Sequence, residues 1–144
     1  MSSNPLVVEK KINAPVSKVW QAITDVKQMN EWYFPIPAFE PVVGFSFNFT
    51  AGADNEEYLH LCKVTEVEFE KKLSYTWQYE VDPALTEVTF ELFPEGSATI
   101  VRITHKGLDK LTIDNPNFKR ESFEKGWTAI FGKMLPGYLE KKAG

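Results

Sequence analysis

Two histidines and one cysteine are the side chains in this sequence best suited to proton transfer, metal binding or nucleophilic attack. His105 shares strand parity with Val101 and Ile103, so we expect it to face the interior of the protein. Because the pKa of histidine is easily shifted, an inward His105 could be a general acid or base, or a polar anchor for a ligand. The alternative is a buried neutral histidine that is hydrogen-bonded to the backbone.

His60 and Cys62 stand two residues apart on one predicted strand, so both could reach a single metal ion. Zinc takes three or four ligands, and two do not make a site, so we predict no metal. Cys62 is the only cysteine, which excludes an internal disulfide. We expect it to be a small buried apolar side chain.

Motifs of nucleophilic or nucleotide-dependent catalysis are missing from the sequence, which has no G-x-S-x-G elbow, no G-x-G-x-x-G pattern and no P-loop. Tyr75, Tyr79 and Asp25 are the remaining candidates for proton transfer, and each is better explained as a rim hydrogen bonder or a helix cap. We therefore assign no catalytic residue and predict no cofactor.

Aromatic side chains are unusually frequent, with 11 phenylalanines, five tyrosines and four tryptophans in 144 residues. They either line a pocket for a small apolar or aromatic ligand or fill the core, and both interpretations remain open. The residues predicted to contact a ligand are Trp32, Phe34, Phe45, Phe47, Tyr75, Trp77, Phe90, His105, Trp127 and Phe131.

The elements that must position these side chains begin with a strand at residues 6–12. Pro15 suits the first position of a helix that carries Trp20, which we expect in the core. Asp25 caps a second short helix with Trp32 on its apolar side. Prolines make the stretch from residue 33 to 41 irregular.

Four segments then alternate apolar and polar residues, at 45–49, 73–79, 88–92 and 101–105, whereas residues 58–69 are extended with an ambiguous register. An apolar stripe of Phe123, Trp127, Ile130, Phe131 and Met134 predicts a long helix from Phe118 to Tyr138. This helix should kink or stop at Pro136.

This order predicts an α+β fold in a single domain, residues 1–144: a curved antiparallel sheet of six to seven strands around a long C-terminal helix. One helix of about 10–12 Å diameter cannot cover the whole concave face of such a sheet. The remaining space must be filled by large side chains or left as a cavity.

Charge and hydropathy narrow the class of protein further. The net charge is −4 and no basic cluster is present, which argues against nucleic-acid binding. The first residues have no basic region followed by a long apolar run, so we expect a cytoplasmic protein without a membrane span.

Seven motifs follow one another along the sequence: Ile12–Pro15, Val19–Asp25 with Trp32, Gly44, Lys63–Val67, Leu73–Trp77, Val101–Gly107 and Gly126–Trp127. Together they resemble the family related to the C-terminal domain of the activator of the ninety-kilodalton heat-shock protein's ATPase, within the helix-grip superfamily of START-like domains and birch-pollen-type allergens. The resemblance covers about residues 6 to 140 and implies a β-α-α-β6-α topology with a pocket between the sheet and the last helix.

Three functions follow as hypotheses. The first is a non-enzymatic protein that binds a small apolar molecule between the sheet and the last helix, with His105 and Tyr75 fixing its orientation. The second is a cyclase- or hydrolase-like enzyme with His105 as acid or base, and the third is a co-chaperone-like or stress-response module that binds a chaperone ATPase. An internal space of about 300 Å³ or more would favour the first, and an exposed apolar patch the third.

Overall fold

A computed structural model describes residues 5–33, 36–53, 56–80, 84–111 and 120–143 of the chain. Six strands form one antiparallel sheet: β1 (Leu6–Ile12), β2 (Ser46–Ala53), β3 (Glu56–Glu68), β4 (Lys72–Tyr79), β5 (Thr86–Glu95) and β6 (Ala98–Lys106). Their spatial order is β1-β6-β5-β4-β3-β2, so β2 to β6 form a meander and β1 closes against β6. The predicted α+β class and antiparallel sheet are confirmed, and the described residues form six strands, with five after the two short helices where the resemblance implies six.

Two short helices follow β1, as predicted: α1 (Val16–Thr24) and α2 (Val26–Trp32). Pro15 precedes the first helical residue, one position earlier than expected, and its carbonyl accepts from the amides of Lys18 and Val19. Asp25 caps α2, where its carboxylate accepts a hydrogen bond from the Lys27 amide at 3.1 Å. This capping satisfies an amide that has no partner inside the helix.

The register of β3 changes in the middle of the strand. Val64 pairs with Tyr75, but Glu66 pairs with Ser74, so one residue of β3 is extra at this bulge. A bulge interrupts the alternation of side chains between the two faces. This explains the ambiguous apolar pattern of residues 58–69.

The C-terminal helix runs through α3 (Arg120–Ala129), a π-helical turn (Ile130–Met134) and α4 (Leu135–Ala143). Residues 118 and 119 of the predicted helix lie outside the described ranges. The helix does not stop at Pro136. Directly before this proline the chain forms a wider π turn, in which the Leu135 amide donates to the Ile130 carbonyl. The i to i−4 hydrogen bonding that a proline would disrupt is therefore already replaced at this point.

The π turn also corrects the predicted apolar stripe. Met134 is 44% exposed, whereas Leu135 is fully buried. A π turn takes one more residue than an α turn, which moves the sheet-facing position from 134 to 135. The buried stripe of the helix is Phe123, Trp127, Phe131, Leu135 and Leu139.

Candidate functional site

Aromatic rings from the sheet and from the C-terminal helix meet in the middle of the protein. Phe90 on β5 contacts Phe131 and Trp127 on the helix, with ring centroids 5.3 and 6.0 Å apart. On β4, Trp77 lies 5.3 Å from Trp127, and Tyr75 lies 5.4 Å from Phe90. These separations are those of favourable aromatic pairs, so the rings pack as a continuous layer.

One small void remains in this layer, with a volume of about 10 Å³. A space of this size is at the limit for a single water molecule. Among the described residues around this void, the rings fill the space and leave no open cavity of the several hundred Å³ that a ligand-binding interpretation would favour. The described residues that line the void are Ile23, Met29, Trp32, Tyr33, Tyr75, Phe90 and Phe131.

The predicted ligand contacts divide into three neighbouring groups. Four of them line the void (Trp32, Tyr75, Phe90 and Phe131), three pack beside it (Trp77, His105 and Trp127), and two lie towards β2 (Phe45 and Phe47). The second and third groups are linked by Phe49, whose ring lies 5.5 Å from Trp77 and 6.4 Å from Phe47. Phe34 lies outside the described ranges. All of the described contacts are buried except Phe45, which is half-buried.

Three residues that line the void were not among the predicted ligand contacts. They are Ile23, Met29 and Tyr33, of which Tyr33 contributes a polar hydroxyl group. Met29 and Trp32 stand at helical spacing on α2, and Tyr33 directly follows that helix, so the apolar stripe of α2 was the signal that could have identified Met29 and Tyr33. The proline-rich stretch that starts at Tyr33 concealed it, because an irregular segment carries no periodic pattern.

His105 is held by a continuous chain of hydrogen bonds. The indole nitrogen of Trp127 can only donate, and it donates to Nδ1 of His105 at 3.1 Å. The ring proton of neutral His105 is therefore assigned to Nε2, which donates to the Thr86 hydroxyl at 2.8 Å. That hydroxyl in turn donates to the Trp77 carbonyl at 2.6 Å.

This chain of bonds defines what His105 can do. Its side chain is fully buried, and burial lowers its pKa to about 3. The one lone pair of the neutral ring is occupied by Trp127, so no acceptor is left for a substrate proton. In this arrangement His105 attaches the C-terminal helix to the sheet.

A pair of tyrosine hydroxyls forms the polar part of the void. The Tyr33 and Tyr75 oxygens are 2.9 Å apart, and burial raises the pKa of both groups. Tyr75 is 1% exposed on β4, whereas Tyr33 follows the last residue of α2 and is only half-buried. Both hydroxyls therefore remain protonated near neutral pH.

The other histidine is also structural in its contacts. His60 stacks on Phe49 with ring centroids 4.5 Å apart, and its Nδ1 donates to the Tyr58 carbonyl at 2.9 Å. Burial lowers the pKa of His60 to about 4 and raises that of Cys62. Over the described residues, no group of three or more His, Cys, Asp or Glu side chains is placed to hold a metal ion.

Two solvent-open grooves of about 370 and 380 Å³, which share Thr76 and Leu85, lie elsewhere in the described structure. Leu85 is exposed, and each groove also has lysine in its lining, Lys63 in one and Lys106 with Lys110 in the other. An open groove with a mixed polar lining does not exclude water. The interior aromatic cluster is therefore the better candidate for recognition of an apolar molecule.

Comparison with known proteins bears out the resemblance noted in the sequence. Residues 13–140 match the family described as "Activator of Hsp90 ATPase homolog 1-like protein" (AHSA1). The chain belongs to this family. No curated protein matches it at a significant level.

Solved structures agree with this membership. Protein MLL2253 from Mesorhizobium loti is 32% identical, with a TM-score of 0.78 over 95% of this chain and 97% of that one. CV1439 from Chromobacterium violaceum is 19% identical, with a TM-score of 0.78 over 95% and 98% of the two chains. DynU16, a protein of the dynemicin biosynthetic locus, is 22% identical with a TM-score of 0.78 over 96% of this chain and 48% of its own. The last two likenesses show the fold alone.

The AHSA1 match covers residues 13–140, and the described residues of that region have the helix-grip architecture. In the described ranges, no helix has both the length and the apolar character needed to cross a bilayer. The family description names a chaperone activator, whereas the described interior is an aromatic cluster that contains the hydrogen-bonded tyrosine pair. These two observations lead to different functions.

Proposed function

We propose that this AHSA1-family protein binds a small planar apolar molecule between the sheet and the C-terminal helix. The observation that supports this function is the void bounded by Trp32, Phe90 and Phe131, where rings from three elements converge. A planar ligand would replace the contacts that these side chains make with one another by contacts between the side chains and its own ring. Trp77 and Trp127 would extend the contact area, and Tyr75 would supply the polar anchor.

Binding requires the interior to open, because ligand pockets start at about 300 Å³ and the void has about 10 Å³. Two features make opening feasible. Met29 is unbranched and adapts its shape readily, and the π turn places Phe131 in a part of the helix that is not regular α. Single π turns in α-helices are frequent at functional sites.

His105 has no direct part in this function. Its two ring nitrogens are engaged by Trp127 and Thr86, so the orienting role passes to Tyr75 alone. For the same reason we do not propose a cyclase- or hydrolase-like activity with His105 as acid or base.

Calorimetric titration with naphthalene tests the proposal, using Phe90→Leu and a matched control, Phe93→Leu. Both residues lie on β5, but Phe90 borders the void, whereas Phe93 is 38% exposed. The guanidinium carbon of Arg102 lies over the Phe93 ring, 4.9 Å from the ring centroid. Because leucine occupies less space, Phe90→Leu should bind naphthalene several-fold more tightly than the unmodified protein. Phe93→Leu should not change the affinity, and equal effects of both substitutions, or no binding in any variant, would contradict the proposal.

A second function, binding of a chaperone ATPase, is favoured by the family description and by one surface feature. Phe69 is 73% exposed in the turn between β3 and β4, and the next residue, Glu70, has a left-handed φ of +58°. An exposed ring held by a strained turn is a reasonable contact for a protein partner. ATPase stimulation that is lost in Phe69→Ser but kept in Phe93→Ser would support it, and no stimulation by the unmodified protein would exclude it.

A further inference from the structure

The two hydroxyls of the tyrosine pair are anchored differently. Tyr75 extends from β4, which is paired on both sides by β3 and β5, and its side chain is almost completely buried. Tyr33 follows the end of α2 and is half-buried, and its ring contacts Trp32 and Phe49 at 5.0 and 6.4 Å. Because Tyr33 belongs to no strand, rotation of its side chain would take the hydrogen-bond partner away from the Tyr75 hydroxyl without breaking the strand pairing of the sheet.

Tyr75 is also the polar atom of the void that a ligand could take over. Of the described residues lining the void, three have a nitrogen or oxygen in the side chain: Trp32, Tyr33 and Tyr75. The indole nitrogen of Trp32 donates to the Ala22 carbonyl at 2.8 Å and is thereby used within the helical region. The Tyr33–Tyr75 bond, at 2.9 Å, joins a half-buried side chain that follows a helix to a fully buried side chain of the central sheet.

We infer that Tyr33 occupies the position of the ligand, and that the ligand is a phenol: a planar ring carrying a hydroxyl group that replaces Tyr33 as the partner of Tyr75. This inference rests on the proposed function and names the chemical class of its ligand. A phenolic ligand exchanges one hydroxyl–hydroxyl bond for another. A ligand without oxygen leaves the Tyr75 hydroxyl buried and unpaired, which costs about a tenfold loss of affinity.

The test compares 2-naphthol with naphthalene in the unmodified protein, in Tyr33→Phe and in Tyr75→Phe, with both affinities measured by calorimetry. The two substitutions delete the same hydrogen bond and leave the ring sizes unchanged, so a purely structural pair predicts the same effect for both. If Tyr33 is the displaced group, Tyr33→Phe should tighten both ligands about three- to tenfold, since a ring without its hydrogen bond is easier to displace. The preference for naphthol should persist in Tyr33→Phe and fall about three- to tenfold in Tyr75→Phe.

A second variant covers the case in which the aromatic ligands enter too slowly to be measured. Tyr33→Ala removes a phenol ring, so phenol should raise the melting temperature of this variant, as any ligand of the folded state does. The ratio of phenol to benzene affinity should be several-fold lower in Tyr33→Ala/Tyr75→Phe, where the anchor is missing.

The outcomes separate the inference from the proposed function. If naphthalene and 2-naphthol both bind and Tyr75→Phe leaves their affinity ratio unchanged, the phenol inference is wrong while apolar binding stands. If neither compound binds the unmodified protein and neither phenol nor benzene binds Tyr33→Ala, both are wrong. A loss of the naphthol preference in Tyr75→Phe alone supports both.

Discussion

Acidification from pH 7.5 to pH 5.0 should remove about 4 kcal/mol from the free energy of unfolding, because His60 and His105 are buried as neutral rings. Burial lowers their pKa values to about 4 and about 3, whereas an unfolded histidine titrates near 6.5. Between these values the unfolded chain binds protons that the folded protein does not. The stability is therefore fully present above pH 6.5 and is lost as the pH falls.

The magnitude follows from the distance below pH 6.5. Each pH unit is worth about 1.4 kcal/mol per histidine, so 1.5 units remove about 2 kcal/mol for each ring. The sum is a large fraction of the 5–15 kcal/mol that stabilises a typical domain, and should lower the melting temperature by roughly 8–16 °C.

Urea unfolding followed by tryptophan fluorescence at the two pH values measures this loss. His105→Gln and His60→Gln are the matched variants, because glutamine is polar but does not titrate. Each single variant should lose about half as much stability on acidification as the unmodified protein, and the double variant almost none. Two results would show that His105 is not held neutral by burial and that the assigned hydrogen-bond chain is wrong. The first is that the unmodified protein is equally stable at both pH values. The second is that His105→Gln loses as much stability on acidification as the unmodified protein.

Four substitutions at three places in the structure test other features by urea unfolding. Trp127→Phe removes the donor to His105 and should cost about 1–3 kcal/mol, since the histidine nitrogen stays buried without a partner; a cost near zero would contradict the assigned bond. Leu135→Ala should cost about 2–5 kcal/mol and Met134→Ala less than about 1, and the reverse order would place the π turn elsewhere. Asp25→Ala should cost about 1 kcal/mol through loss of the α2 cap, and an unchanged stability would show that the cap is not formed.

Side-chain periodicity was sufficient to predict most of the sheet. Segments such as 73–79 alternate strictly, and in β4 the apolar positions Leu73, Tyr75, Trp77 and Tyr79 are all buried as expected. The bulge in β3 and the π turn in the C-terminal helix were not predictable in the same way. Each of them inserts one residue into a regular element, and no particular residue type marks the insertion. In the sequence they are visible only because the regular spacing of apolar residues is interrupted.

Most residues of the candidate site were predicted from the sequence, but their hydrogen-bond partners and the filling of the interior space were not. Parity placed His105 inside, yet its partners Trp127 and Thr86 come from distant positions, and only the packed structure brings them to its two nitrogens. Whether aromatic rings line a cavity or fill it depends on how their volumes fit together, which alternation does not encode. Tyr33 was missed as the partner of Tyr75 because it begins an irregular segment.

The most direct measurement for the central claim is the set of nuclear Overhauser contacts between bound naphthalene and the methyl groups of the protein. Binding in the aromatic interior predicts contacts to the methyl groups of Met29 and Ile23, which line the void. Contacts to Leu61 and Leu85, which line the solvent-open groove of about 370 Å³, would contradict the proposed ligand site. The absence of any contact at saturating naphthalene would contradict it as well.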